Sequence, residues 1–495
     1  MSVLDLAIDA TTNYIEQMPK NQRKKYGQFF TSKETAVFMA NLFHISDQWQ
    51  EISILDPGAG SGILSIALLD RLETFPNINK INITCYENNA DVIDLLKNNL
   101  SIAARQSRKQ IEVHVICDNY ILSQEADYGF LLTANPAPDK YDLIIGNPPY
   151  MKIAKNAPEA LAMSNVCYGA PNLYFLFASM SLFNLKENGE MVYIIPRSWT
   201  SGAYFKRFRQ NFLSQCVLEH IHLFISRDKV FEKENVLQET LIVKAKKSRI
   251  IPEIVTITTT KDNSDFSQKT IFEAPYSSIV RGSDYYIYLV TNSEEANILN
   301  RLNKWKNTLP DIGLKMKTGL IVDFRNRDLL RDKAENSAIP LFYSQHIQNG
   351  KVVFPIKKNG EYLVTNQIGL IQRNSNYLFV KRFTAKEEKR RLQCGIYLSK
   401  EYPTYEYIST QNKINFICGK EDLSEPVVYC LYVLFNSSVY DQYYRILNGS
   451  TQVNSTEINS MPVPPIDLIE DMGRALMEEN DLSECKCDQI LERYL

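Results

Sequence analysis

Between residues 52 and 243, short apolar runs of strand length alternate with stretches of helix length, and no other feature restricts the fold of this chain so tightly. Strands are expected at 52–55, 81–86, 111–117, 142–145 and 191–195, with helices at 63–72, 89–100 and 173–186, and 221–224 and 241–243 closing the sheet. Two earlier helices are expected at 4–18 and 33–44, the second capped by Ser32 with Thr35 one turn on. Strands alternating with helices of this length predict an α/β fold, a doubly wound, largely parallel Rossmann-like sheet. Such sheets bind ligands beyond the carboxyl ends of their strands.

At 495 residues the chain exceeds one hydrophobic core. The alternation dissolves near residue 246, where a Thr-rich stretch at 256–260 and polar residues 261–268 suggest a boundary. The sequence therefore predicts a catalytic domain over 1–245, a linker over 246–270 and a C-terminal α+β domain over 271–495, with longer helices near 290–304 and 423–447. A formal charge of −2 means that any basic, nucleic-acid-binding surface has to be local. Nine scattered cysteines without a C-x-x-C pair point to reduced thiols in a cytosol. Cys485 and Cys487 are too isolated for a zinc site, and His220 and His222 have no further ligands beside them, so no metal is expected. No apolar stretch reaches the roughly 18 residues of a membrane span, and residues 1–20 lack a secretory leader. A soluble, cytoplasmic protein is the expectation.

Two motifs carry chemistry. Asn147-Pro148-Pro149-Tyr150 follows the apolar run 141–146, and a strand that meets two prolines stops pairing, because neither offers an N–H and each fixes φ. The result is a rigid hook at a sheet edge, with carbonyl oxygens, the Asn147 amide and an aromatic face at Tyr150. A planar amino group beside a ring fits it. The exocyclic nitrogen of adenine shares its lone pair with the ring and is a poor nucleophile until acceptors hold its hydrogens. Asn147 and the Pro148 carbonyl are placed to do so by electrostatic preorganisation, without a strong base.

The second motif, Asp56-Pro57-Gly58-Ala59-Gly60-Ser61-Gly62, joins a strand to a helix. Its spacing is neither G-x-G-x-x-G nor a nucleoside triphosphate loop, which needs a Lys-Ser/Thr. Gly58 and Gly60 permit close backbone approach to a ligand. Glu87 and Asp118 end the next two strands, where the first can accept both hydroxyls of a ribose and the second the amino hydrogens of an adenine. Three acids at successive strand ends point to an adenosyl group.

With these residues in hand, the chain resembles the gamma-arrangement N6-adenine DNA methyltransferases of type II restriction–modification systems. The resemblance rests on 26–31 (Tyr-Gly-Gln-Phe-Phe-Thr), Asp56 to Gly62, Glu87, Asp118, Asn147 to Tyr150, Asn172-Leu173-Tyr174 and 189–196. It implies S-adenosyl-L-methionine as donor, with Thr31 on the methionine carboxylate, Asp56 by its amino group, Glu87 on the ribose and Asp118 on the adenine. It also implies an aromatic residue stacking on a flipped base opposite Tyr150: Phe231 is preferred and Phe224 competes. Flipping is required because the N6 atom cannot reach a donor deep in a cleft while its base stays stacked.

The C-terminal domain resembles that of methyltransferases allied to restriction enzymes of the PstI, BsuBI and XhoI kind, through 318–325 and the basic run 381–391. It is therefore expected to be a target-recognition domain for double-stranded DNA, with Lys381, Arg382, Arg390 and Arg391 as phosphate contacts. A solvated helix with a Glu387–Arg391 ion pair is the plainer explanation of that run. Asn448 to Asn454 is a polar loop suited to base edges or merely to a turn. Glu387-x-Lys389 is half of a nuclease signature, but no partner aspartate precedes it closely. The expected function is methylation alongside a cognate endonuclease without stable association. The alternatives are methylation of a protein glutamine or an RNA amino group, and a catalytically silent DNA-binding component.

Overall fold

The computed structural model describes residues 2–17, 19, 31–130, 140–225, 239–335, 337–385, 388–448 and 452–495. It divides into two units, 1–200 with 204–291, and 201–203 with 292–495.

The first unit is built on nine strands: β1 Glu51–Asp56, β2 Lys80–Tyr86, β3 Gln110–Ile116, β4 Tyr141–Gly146, β5 Leu185–Pro196, β6 Val217–Phe224, β7 Thr240–Lys246, β8 Ile254–Thr260 and β9 Thr270–Pro275. Their order is β3-β2-β1-β4-β5-β7-β6-β8-β9. The first five run parallel, and β7 inserts antiparallel between β5 and β6. Helices Ile63–Leu72, Ala90–Gln106 and Leu173–Asn184 connect or cover these strands. Leu173–Asn184 is apolar on every side and buried from Tyr174 onward, as such a helix must be. The order reverses between β1 and β4, so a crevice opens there at the carboxyl ends.

The expected linker over 246–270 is a correction: the sheet does not close at β7. Strand β8 pairs parallel with β6, and β9 pairs with β8. The threonines that give the stretch its polar look are β-branched strand formers whose hydroxyls have partners. Thr258 bonds to His220 and His222 at 2.8 Å, and Thr260 lies 3.1 Å from His222. Burial lowers the two imidazoles to about 4 and about 3, holding them neutral. The first unit consequently runs on to residue 291, some 20 residues past the anticipated start of the second domain.

The second unit contains a six-stranded and a five-stranded sheet. Phe342, Phe379, Tyr397 and Phe416 lie in its core. The helix expected over 423–447 is two, Glu425–Asn436 and Ser438–Leu447, because Ser437 turns extended and its side chain caps the Tyr440 N–H. Among the described residues no helix is long and apolar enough to cross a membrane.

Gly62 ties the glycine loop to its scaffold. Its φ is +85°, and a Cβ there would lie 2.9 Å from Leu96 Cδ1. Gly62→Ala is expected to destabilise the protein by about 1–2 kcal/mol through left-handed strain, with a further cost if Leu96 cannot shift. Urea denaturation should show a lower midpoint at an unchanged slope.

Candidate active site

Strand β1 ends on Asp56, which has zero exposure. Its Oδ2 accepts from the Ser65 hydroxyl at 2.8 Å, while its buried Oδ1 has no hydrogen-bond partner in ideal geometry among the described residues. Burial pushes this carboxyl up to about 7, against the opposing pull of the Ser65 and Gly58 hydrogen bonds. Ser65 had not been anticipated, although a serine inside the apolar run Ile63-Leu64-Ser65-Ile66 is a legible signal.

Glu87, just past β2, is also buried. Its Oε2 accepts the Gly60 N–H at 2.9 Å and its Oε1 the Asn89 N–H at 2.8 Å. Burial raises this acid too, and those bonds oppose the rise. Glu87 thus pins the glycine loop to the second strand, while each oxygen keeps lone-pair capacity for a further donor. Gly60, at φ +53°, has open space where a side chain would sit. A Cβ at Gly58 would meet Phe177 at an ordinary contact distance. Asp118 follows β3, is exposed, and accepts the Asn119 N–H at 2.7 Å.

Asn147 follows β4, the strand beside β1. Its Nδ2 donates to Thr31 Oγ1 at 3.2 Å, and its Oδ1 accepts from the Tyr150 hydroxyl at 2.9 Å. The same hydroxyl lies 3.1 Å from the Ile194 carbonyl on β5, so one hydrogen has two acceptors. Pro148 is buried and Pro149 partly so. Beyond the hook, Leu173 N–H bonds to the Met151 carbonyl and Ile153 N–H to that of Pro171, which explains why Asn172-Leu173-Tyr174 accompanies it. The link from Thr31 to Asn147 is new: the expected donor-holding residue also orients the expected acceptor. Tyr150 departs from expectation, since the residue is only 6% exposed and its ring meets Tyr174 edge-on. A base can stack on it only after the covering groups move aside.

Phe231 lies outside the described residues. Phe224 packs against His222 at 4.7 Å and Phe266 at 6.1 Å, on a strand separated from β4 by β5 and β7. It belongs to that aromatic cluster and not to the hook.

In the second unit the described residues of the basic run, 381–385 and 388–391, are not helical and do not form a uniform phosphate-binding surface, which corrects the expectation of four phosphate contacts; the Glu387–Arg391 ion pair lies outside the described residues. Arg391 has zero exposure, bonds to Thr384 at 3.2 Å and lies over Tyr444. Arg390 donates to the Phe435 and Ser437 carbonyls at a helix end and pairs with Glu484. Both guanidiniums satisfy buried acceptors of the protein itself, so neither is presented to a phosphate. Lys381 reaches Gln393 at 3.0 Å, and Arg382 reaches the Asn412 carbonyl and Gln452; both remain partly exposed. Asn448 is buried among Tyr444, Gln452 and Glu457, and so serves the turn and not base edges. Glu387 and Gly449 to Thr451 lie outside the described residues. Among the described residues no group of three His, Cys, Asp or Glu side chains is placed to hold a metal ion.

Comparison with known proteins places this geometry in a family. Residues 17–231 match the family described as Eco57I restriction-modification methylase. The chain is 35% identical over 490 residues to the type II methyltransferase M.PstI of Providencia stuartii, covering 96% of this chain and 93% of the relative. It is 33% identical over 500 residues to the type II methyltransferase M.BsuBI of Bacillus subtilis, covering 99% and 97%. In fold it is similar to the type IIL restriction-modification enzyme MmeI, solved in complex with DNA, at 11% identity and a TM-score of 0.52 over 97% of this chain and 74% of that one. With full-length relatives above 30% identity and a Rossmann-like sheet carrying its hook at the switch point, the chain belongs to the type II methyltransferases of restriction–modification systems.

Proposed function

We propose that this chain transfers a methyl group from S-adenosylmethionine to N6 of a flipped-out adenine in duplex DNA, as the modification component of a restriction–modification system. Its second unit selects the target, and any cognate endonuclease acts without stable association. The observation that carries the reading is the Asn147 amide, held between Thr31 and Tyr150 at the end of the strand next to Asp56.

The donor fits the residues present. The buried Asp56 Oδ1 suits a cationic amino group, Glu87 a vicinal diol, Asp118 a ring amino group, and the open space above Gly60 a close backbone approach. When bound, S-adenosylmethionine supplies an electrophilic methyl on a sulfonium. Asn147 Oδ1 and the Pro148 carbonyl accept the two hydrogens of the target amino group, which favours a tetrahedral nitrogen with its lone pair free. Asn147 Oδ1 carries two lone pairs, so it can keep the Tyr150 hydroxyl on one and accept a target hydrogen on the other. Thr31 keeps the amide in plane throughout. Positioning dominates, as the in-line approach demands.

Purified protein with labelled donor and unmodified genomic DNA should yield N6-methyldeoxyadenosine on digestion to nucleosides. Label at cytosine N4 would overturn the base assignment, and label absent from DNA the whole reading. Tyr150→Phe should lower kcat by about five- to tenfold, the worth of one hydrogen bond of about 1 kcal/mol, because the ring stays while Asn147 loses a restraint. Single-turnover rates at saturating DNA measure this.

A further inference from the structure

The segment 318–325 is built into a ridge on the second unit that the catalytic reading leaves without a role. Gly319 lies against the turn at 411–414 so closely that a Cβ would fall 2.2 Å from the Gln411 carbonyl oxygen. Only glycine permits the bonds that follow: Gly319 N–H to the Ile414 carbonyl at 2.8 Å, and Leu320 and Ile321 N–H to that of Thr410 at 2.7 and 3.0 Å. Asn412 N–H returns to the Ile321 carbonyl at 2.8 Å. Gln411, itself buried, reaches Asp323 at 3.2 Å. A third segment locks on from the other side. Arg382 donates from its backbone to the Lys413 carbonyl and from its guanidinium to the Asn412 carbonyl and Gln452, and Phe383 bridges to Gln452.

What this frame holds outward is unusual. Phe324 is 67% exposed and Phe383 47%, and each has a guanidinium over its ring, Arg325 at 5.4 Å and Arg382 at 5.5 Å. Lys413 is exposed on the turn between them in the bonding scheme. A single exposed phenyl group is ordinary on a protein surface. Two of them, each paired with a cation on rigidly joined segments, combine apolar and cationic groups as contacts to duplex DNA do.

We infer that this ridge is the surface with which the second unit engages its DNA target. Arg325, Arg382 and Lys413 contact phosphates, and Phe324 and Phe383 make the apolar contacts with sugars and base steps that distinguish target from other sequence. The inference rests on the proposed DNA methylation and names residues for it. It also replaces most of the basic run as the binding surface, keeping only Arg382.

The test uses the full chain with sheared unmodified genomic DNA and with a mixed-sequence 30-base-pair duplex. R325Q/K413Q should weaken binding of the mixed duplex and flatten its logarithmic salt dependence by about 2, one counterion per lost cation. F324A/F383A should keep that salt slope yet methylate genomic DNA about tenfold more slowly. Hydrogen exchange in the wild-type protein should slow at 319–325 and 410–414 when the duplex is added. Both double variants should keep wild-type donor affinity. If the wild-type chain methylates no DNA, the proposed function fails. If it methylates DNA while both variants bind and turn over like wild type, or while exchange on the ridge is unmoved, the ridge assignment fails and the function stands.

Discussion

Asn147→Ala is expected to reduce kcat by about 10³ while leaving S-adenosylmethionine affinity nearly unchanged. Removing one preorganised acceptor costs about 10²–10³ in rate where charge develops in the transition state. Here the alanine also deletes the Nδ2 bond to Thr31. Tyr150 retains Ile194 as an acceptor, so the hook does not acquire an unsatisfied buried hydroxyl and should stay folded. Asn147→Asp provides the control. It keeps an oxygen toward the substrate, and its other oxygen can accept from the Thr31 hydroxyl in place of donating to it, so the loss should be much smaller than for alanine. Methyl incorporation under single-turnover conditions, beside equilibrium dialysis of labelled donor, separates the two effects. Wild-type turnover in the alanine variant would remove Asn147 from the chemistry.

The parallel half of the sheet is legible because its elements repeat a simple period. The strands at 52–55 and 81–86 and the helix at 63–72 are found within one residue, as Glu51–Asp56, Lys80–Tyr86 and Ile63–Leu72. What fails is the far edge. Thr256 to Thr260 look like a linker because their polarity is read as exposure, whereas most of those side chains are buried and two bond to histidines 36 to 38 residues away. Pairings at that distance leave no local trace. The break at Ser437 is missed for the opposite reason: the apolar pattern runs on through it, and a single capping hydroxyl ends the helix.

The candidate site divides in the same way. That Asp56, Glu87, Asp118 and Asn147 terminate successive elements follows from where each apolar run stops. Which atoms they touch does not, because Thr31 meets Asn147 across 116 residues. A cluster of cations is likewise ambiguous as sequence, since Arg391 with zero exposure and Lys389 with a side chain 87% exposed are two residues apart. Long basic side chains turn inward or outward according to the acceptors the tertiary fold offers. Here the carbonyls at the end of Glu425–Asn436 claim Arg390.

Asp56→Asn should separate stability from donor binding. In the folded protein burial holds this carboxyl at about 7, whereas an ordinary aspartate titrates near 3.8. A difference of that size corresponds to about 4 kcal/mol, each tenfold being 1.36 kcal/mol. Between those two values the unfolded chain has released the proton and the folded chain retains it, so ΔG of unfolding declines as pH rises from about 4 to about 7 and is level above. The amide carries no charge and lacks this slope. At pH 8 the donor-free variant should therefore be more stable than wild type by about 1–3 kcal/mol, the remainder being offset by its own buried N–H groups. Donor binding should move the other way. A cationic amino group recovers the cost of ionising Asp56, so wild-type affinity should tighten as pH rises through about 7 and level off beyond it. The variant should bind about 100-fold more weakly, with a flat pH profile, as expected for a lost buried charge partner. Saturating donor should then raise the melting temperature of wild type far more than that of the variant. Thermal melts from pH 5 to 8, with and without donor, test both halves: a variant that binds like wild type, or shares its pH slope, would show that Asp56 is not the buried anion awaiting the donor's amino group.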